Sequence, residues 1–168
     1  MNHLKIIQNK IQSTVEAAIT LQNWRAEKCK IVFTNGCFDI LHLGHIDYLA
    51  KAADLGDKLL IGVNTDASVS RIKGPSRPIN NQQSRAMVLA SFSFVSMIIL
   101  FDEPTPYELI HIVQPDVLVK GADYKIEEIV GYDIVKAKGG TVFTLDYLTG
   151  YSTSAIEQRI LDKNKSQL

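Results

Sequence analysis

This sequence is short of several things, and each shortage excludes a class of protein. Its 168 residues hold only two cysteines, Cys29 and Cys37. They have no C-x-x-C spacing and no second pair, so neither a disulfide framework nor a thiolate metal site is expected. Both read as buried, reduced thiols. Net charge is also missing: 18 Lys+Arg stand against 18 Asp+Glu. A nucleic-acid binder needs a basic excess to neutralise phosphates, so no nucleic-acid partner is expected. The N-terminus lacks the basic, apolar, small-residue order of a secretory signal. The longest apolar run, near Val95–Phe101, is too short to span a bilayer. No membrane partner is expected, and a reducing cytoplasm fits.

One further absence is local. Between Asp66 and Asp102 there is no acidic residue, while Arg71, Lys73, Arg77 and Arg85 fall inside. Acids such as Glu108, Asp116, Asp123, Glu127 and Glu128 follow later. A cationic stretch in a neutral chain fits either a focused anion site or a solvated loop. What remains is ordinary for a globular protein, with 46% apolar and 21% charged residues. The length suits one domain that buries roughly two-thirds of its unfolded surface.

Periodicity then orders the chain. Leu4, Ile7, Ile11, Val15, Ala18 and Leu21 recur at helical steps, which predicts one N-terminal amphipathic helix over 1–27 ahead of a domain over 28–168. Strands are predicted at Lys30–Thr34, Lys58–Val63, Val95–Phe101, Asp116–Lys120 and Thr141–Leu145. Helices are predicted over Gly44–Ala53, from the Asn80/Gln83 capping box to about Phe92, and from Pro104 and Pro106 to about Val113. Two more run over Glu127–Lys138, stopping at Gly139 and Gly140, and from the Ser154/Glu157 capping box to about Lys163. Pro75–Asn81 is a loop. The alternation implies an α/β fold, a Rossmann-like doubly wound parallel sheet of about five strands with helices on both faces. Ligands in such sheets bind beyond the carboxyl ends of the strands. Chemistry is therefore sought after Thr34, Val63, Val119 and Leu145.

The first of these loops reads Thr34-Asn35-Gly36-Cys37-Phe38-Asp39-Ile40-Leu41-His42-Leu43-Gly44-His45. It is neither a Walker A loop nor a G-x-G-x-x-G fingerprint. His42 and His45, at i and i+3 where a helix starts, share a face. Gly44 permits close backbone approach. The helix start offers free N–H groups to an anion. A metal site is the weaker reading of the pair, since no third ligand lies at a convincing spacing. His3 and His111, standing alone, read as structural.

A His-x-Gly-His after T-N-G-C-F-D resembles the signature of the nucleotidyltransferase superfamily that includes cytidylyltransferases and pantetheine-phosphate adenylyltransferase. Three more stretches match it: Ser70-Arg71-Ile72-Lys73-Gly74, which reads as a Gly-flanked loop whose lysine can reach a triphosphate, Val119-Lys120-Gly121-Ala122-Asp123-Tyr124, and Gly150-Tyr151-Ser152-Thr153-Ser154. The last also reads as a plain helix cap. With R-I-K-G-P-x-R-P-I, D-V-L-V-K-G-x-D-Y, E-E-I-V-G and G-G-T-V, the chain from about Lys28 to Ile160 resembles the adenylyltransferase family of ADP-heptose synthesis. Ala122 replaces a common glycine, and Ser154 a common threonine.

The resemblance implies transfer of AMP from ATP to D-glycero-β-D-manno-heptose 1-phosphate, with a separate sugar kinase upstream. It gives His42 and His45 the α-phosphate, and Lys73 with Ser152, Thr153 and Ser154 the β- and γ-phosphates. Thr34, Asn35, Gly36, Phe38 and Gly44 would line the nucleotide. Lys120, Gly121 and Asp123 would lie near nucleotide or sugar. Asp39 would meet a sugar hydroxyl, and Arg77 or Arg85 the sugar phosphate. Mg²⁺ would be held by substrate and water, with no protein metal cage. Glycerol-3-phosphate cytidylyltransferase is a more distant likeness, and a non-catalytic nucleotide sensor is the alternative of another class. A homo-oligomer contact through the N-terminal helix stays open.

Overall fold

A computed structural model describes residues 1–122 and 125–165. Its centre is a five-stranded, all-parallel sheet in the order β3-β2-β1-β4-β5. The strands are β1 (Ile31–Gly36), β2 (Lys58–Asn64), β3 (Val95–Phe101), β4 (Val117–Gly121) and β5 (Thr141–Leu145). Each lies within two residues of its predicted span. The strands are apolar on both sides because both faces of the sheet are covered.

Alternate residues feed two cores. Ile31, Phe33, Leu60, Met97 and Leu118 pack with Leu21, Leu109, Ile110 and Val135 on one face. Val32, Ile61, Ile98, Val117 and Val119 pack with Leu49, Ala52, Ala86 and Leu89 on the other. The first face therefore carries α2 (Thr14–Ala26), α6 (Tyr107–Val113) and α7 (Tyr132–Ala137). The second carries α3 (Leu43–Ala53) and α5 (Gln82–Ala90). The chain winds outward from β1 to β3, then crosses back to β4. The sheet thus divides between β1 and β4, where ligand crevices open in such folds.

Five predicted elements come out differently. The N-terminal segment is two helices, α1 (His3–Gln8) and α2, rather than one. Ser13 restarts the helix: its Oγ accepts from Glu16 N at 3.3 Å and Glu16 Oε2 accepts from Ser13 N at 2.8 Å, a complete capping box. Between the helices, Ile98 N donates to Lys10 O and Gln12 N to Ile98 O. That short pairing covers the outer edge of β3, which would otherwise present unpaired backbone groups. Leu4 and Val15 of the predicted apolar stripe are exposed, and Ala17 with Leu21 carries the packing.

The second difference is α4 (Asp66–Lys73), where a Gly-flanked loop is predicted. Thr65 caps it through Ser68 N at 3.1 Å, and it ends at Gly74 with φ +98°. Third, α5 is capped by Asn81 on Ser84 N rather than by Asn80. Fourth, the Glu127–Lys138 stretch is a 3-10 turn (Ile126–Glu128) followed by α7, broken at Gly131 with φ +88°. A Cβ at Gly131 would stand 2.7 Å from the Ile110 side chain, so the break also lets α6 come close.

The last helix, α8 (Thr153–Lys165), begins near its predicted start, but Ser152 Oγ takes the capping bond from Ala155 N at 3.1 Å. No helix among the described residues is long and apolar enough to cross a membrane.

Candidate active site

The loop leaving β1 is built around two buried anchors. Thr34 is wholly buried and its Oγ1 lies 2.8 Å from the Tyr48 hydroxyl of α3. Phe38 turns with φ +48°, unusual for a residue with a Cβ. Its ring folds back so that a Cβ on Gly36 would meet it at 3.0 Å. Glycine at position 36 is therefore what allows the turn to close. The Phe38 ring also meets His45 edge-on, 5.4 Å between centroids.

His42 occupies the cap position of α3, its carbonyl accepting from His45 N at 2.9 Å. The two imidazoles stack, 3.9 Å apart and 30° from parallel. A Cβ on Gly44 would sit 3.1 Å from the His42 ring and 3.2 Å from Tyr151 Cβ, so Gly44 makes room for the stack. Burial first, then the neighbouring His42 and Lys73, push His45 down to about 4. Burial also lowers His42. His45 is therefore neutral near pH 7. Nδ1 of each ring is buried without a hydrogen-bond partner, as is Oδ1 of Asn35. Buried polar atoms are nearly always paired. Three orphans around one loop mark a place where a polar ligand completes the hydrogen bonding.

Asn35 and His45 border a cleft of about 330 Å³ at the carboxyl ends of β1, β2 and β4, and His42 stacks on His45 at its edge. Asn35, Gly36, Phe38, Asp39 and His45 line one wall, and Lys73, Lys120, Gly121 and Thr153 reach it from elsewhere. A second compartment of about 220 Å³ shares Asn35, Asn64 and Lys120 with it, and extends past Ile72, Thr105, Glu128 and Ile129. The side chains that line the two are cationic or neutral, apart from Asp39 in the first and Glu128 in the second. No group of three His, Cys, Asp or Glu side chains able to hold a metal occurs among the described residues.

The cytidylyltransferase-like family model matches residues 33–159. The chain belongs to that family. It is 55% identical over 158 residues to the bifunctional protein HldE of Campylobacter curvus, covering 94% of this chain and 32% of that protein. The chain spans about a third of the length of the curated relatives it matches. Among solved structures, the lipopolysaccharide core biosynthesis protein of Thermoplasma volcanium is 33% identical, with TM-score 0.59 over 74% of this chain and 99% of that one. A pantoate-beta-alanine ligase from Francisella tularensis, 17% identical with TM-score 0.60 over 88% of this chain and 75% of that one, shares the fold.

Within this cytidylyltransferase-like domain, some residues expected at the site stand elsewhere. Arg85 is buried behind the cleft wall, and its guanidinium is occupied by protein. Nε donates to Asn80 O at 3.0 Å, Nη1 to Cys37 O, and Nη2 to Asn64 O at 2.7 Å and to Asp66 Oδ1 at 2.8 Å. It braces the ends of β1 and β2 against each other. Asp39 is likewise committed: Oδ1 accepts from Ile79 N and Asn80 N, and Oδ2 from Arg77 Nη1, each within 2.9 Å. Burial raises its carboxyl, but the hydrogen bonds from Asn80, Arg77 and Ile79 together outweigh this and hold it low.

Thr34 lies beneath the site, and His42 faces the neighbouring groove beside Tyr151 and Ile156. Lys73 ends a helix rather than riding a loop. Of the hydroxyl cluster, Thr153 lines the cleft, Ser152 caps α8, and Ser154 lies one residue inside that helix, exposed. Asp123 lies outside the described residues.

Cys37, Tyr48, Asn64 and Tyr147 also line the cleft. Tyr48 stands three residues after His45 on the same helix face, and Asn64 ends β2 as Asn35 nearly ends β1, so both were within reach of spacing. Tyr147 left no signal. Cys29 and Cys37 are half-buried rather than buried, and burial raises the Cys37 thiol.

Proposed function

We propose that this domain transfers AMP from ATP to D-glycero-β-D-manno-heptose 1-phosphate, giving ADP-heptose and pyrophosphate. The observation that carries the reading is the stacked His42/His45 pair, with its unpartnered buried nitrogens, on the edge of a cationic cleft at the division of the sheet. The heptose acceptor rests on the kinship to HldE proteins and to a lipopolysaccharide core biosynthesis protein.

The acceptor's phosphate oxygen, anionic at neutral pH, attacks the α-phosphorus. The bond from the α-phosphorus to the α,β-bridging oxygen breaks, and pyrophosphate leaves with that electron pair. No general base is needed, because the nucleophile carries no proton to remove. The chain's work is positioning and charge stabilisation. His42 and His45 hold the α-phosphate by hydrogen bonds that strengthen as charge builds. Lys73, with Ser152 and Thr153 at the start of α8, holds the β- and γ-phosphates. Asn35, Gly36, Phe38 and Gly121 line the nucleotide, and the second compartment takes the sugar phosphate, with Lys120 between the two.

The residues fit a Mg²⁺ ion that arrives on the triphosphate, since cations and hydroxyls face the phosphates and both Asp39 oxygens are taken. When bound, such an ion would supply charge neutralisation for the departing pyrophosphate. The sugar 1-phosphate must come from an upstream phosphorylation, and we place the reaction in the cytoplasm with its ATP.

The test is a pyrophosphate-release screen crossing ATP and CTP with heptose 1-phosphate and glycerol 3-phosphate. ATP with heptose 1-phosphate should be turned over fastest. A preference for CTP with glycerol 3-phosphate would replace this reading, and nucleotide binding with no release from any pair would turn it into a sensor.

A further inference from the structure

The two elements proposed to hold the β- and γ-phosphates are far apart in sequence, Lys73 at the end of α4 and Ser152–Thr153 at the start of α8. One residue connects them. Arg77 follows Lys73 closely, and its carbonyl accepts a hydrogen bond from Ser70 Oγ of α4. Its Nη1 donates to Asp39 Oδ2 at 2.8 Å, in the loop leading to His42. Its Nη2 donates to Glu157, on the first turn and a half of α8. The Asp39 side chain is 1% exposed, Arg77 16% and Glu157 29%, so the chain of charges runs from the interior outward.

Asp39 fixes the inner end. Its other oxygen receives Ile79 N and Asn80 N, and Asn80 Nδ2 returns a bond to Asp39 O at 2.7 Å. Glu157 is the outer end, and α8 has few other restraints: none of its described side chains is fully buried. A planar guanidinium with two separate donor edges can face two carboxylates at once, whereas an ammonium acts as a point charge.

We propose that Arg77 is a positioning residue that ties α8 to the histidine loop and the Lys73 arm, so that the triphosphate is gripped from both sides together, and that it is not the receptor of the sugar phosphate. The proposal rests on the reading of the cleft as an ATP site. It makes Lys73 and Glu157 energetically coupled although Glu157 touches no substrate.

Titration calorimetry with ATP and steady-state kinetics separate the possibilities. Glu157→Ala and Arg77→Lys should each weaken ATP about tenfold and leave the sugar-phosphate KM within about twofold, with Glu157→Gln intermediate because it keeps a neutral acceptor. Lys73→Ala should cost less in the Glu157→Ala background than alone. A thermal melt of Glu157→Ala should stay near wild type, which separates positioning from folding. If Arg77→Lys fails to fold, Glu157→Ala and its cycle with Lys73→Ala carry the test alone. A raised sugar-phosphate KM in Arg77→Lys with ATP unchanged would overturn the proposal and restore Arg77 as a ligand. Unchanged ATP affinity in Glu157→Ala, or strict additivity with Lys73→Ala, would overturn it while the ATP site stands. A wild-type protein that binds no ATP would remove both.

Discussion

The two sides of the cleft are built in opposite ways. The histidine side is fixed by burial: Thr34 and Tyr48 lock the end of β1, and Phe38 closes on Gly36. Its imidazoles stack with their Nδ1 atoms already out of water. The other side is made of element ends: Lys73 in the last turn of α4, and Thr153 at the start of α8, tied inward through Arg77. The first side has met its desolvation cost on folding, so its donors need little reorganisation when charge develops. The second gathers cation and hydroxyls from separate segments. Changes on the histidine side should therefore appear in turnover, and changes on the other side in ATP affinity.

The largest expected break in that contrast is His42→Ala. It should lower kcat by about 10²–10³, the scale for one preorganised donor to a developing oxyanion, with ATP affinity little changed. Steady-state kinetics checks it. A variant that keeps kcat and loses ATP binding would make the two sides alike.

Next in size is an acid sensitivity confined to the histidine side. His45 binds a proton near 6.5 when unfolded and at about 4 in the fold. Between those values the unfolded chain takes up more protons, so stability falls as pH drops through that window and is level above it. At about 1.4 kcal/mol per unit, the loss is of the order of 2–3 kcal/mol by pH 4. Asp39, held below its usual value by its hydrogen bonds, adds its own loss only at still lower pH. Urea unfolding at pH 7 and 4.5 should show the drop, and His45→Gln should flatten most of it. An unchanged slope in that variant would place the acid sensitivity elsewhere.

Lys73→Ala probes the other side and should weaken ATP by about tenfold, more than it weakens sugar phosphate, because a partly exposed cation contributes on the order of 1 kcal/mol. Calorimetric titration of each substrate decides it. Equal loss for both would make Lys73 a shared electrostatic contributor rather than a triphosphate arm.

The same contrast explains what the sequence made legible. Strands buried on both faces leave unbroken apolar runs, and all five were readable within two residues. The histidine motif was readable because it is one contiguous loop between a strand and a helix. The Arg77–Glu157 tie joins residues 80 apart, and no periodicity reports such a pairing. Arg85 misled for a related reason. In a string of letters, a buried brace with four protein hydrogen bonds is indistinguishable from a free anion receptor. Helix α4 escaped because Gly74 and Pro75 suggested a loop, although Thr65 and Ser68 already spelled a cap.

The smallest effect concerns a region that should be silent in both respects. The Ser13/Glu16 box starts α2 far from the cleft, and the Lys10–Gln12 segment before it pairs with Ile98 on the edge strand. Ser13→Ala removes one capping acceptor and should cost about 1 kcal/mol of stability. The stripe of helical spacing from Leu4 to Leu21 would predict no special cost at that position, because a continuous helix has no cap there. Denaturant unfolding measures the cost, and pyrophosphate release should be unchanged at a temperature where the variant is folded. A loss of turnover without loss of stability would mean that the sheet edge communicates with the site, and that the histidine side owes its rigidity to more than the end of β1.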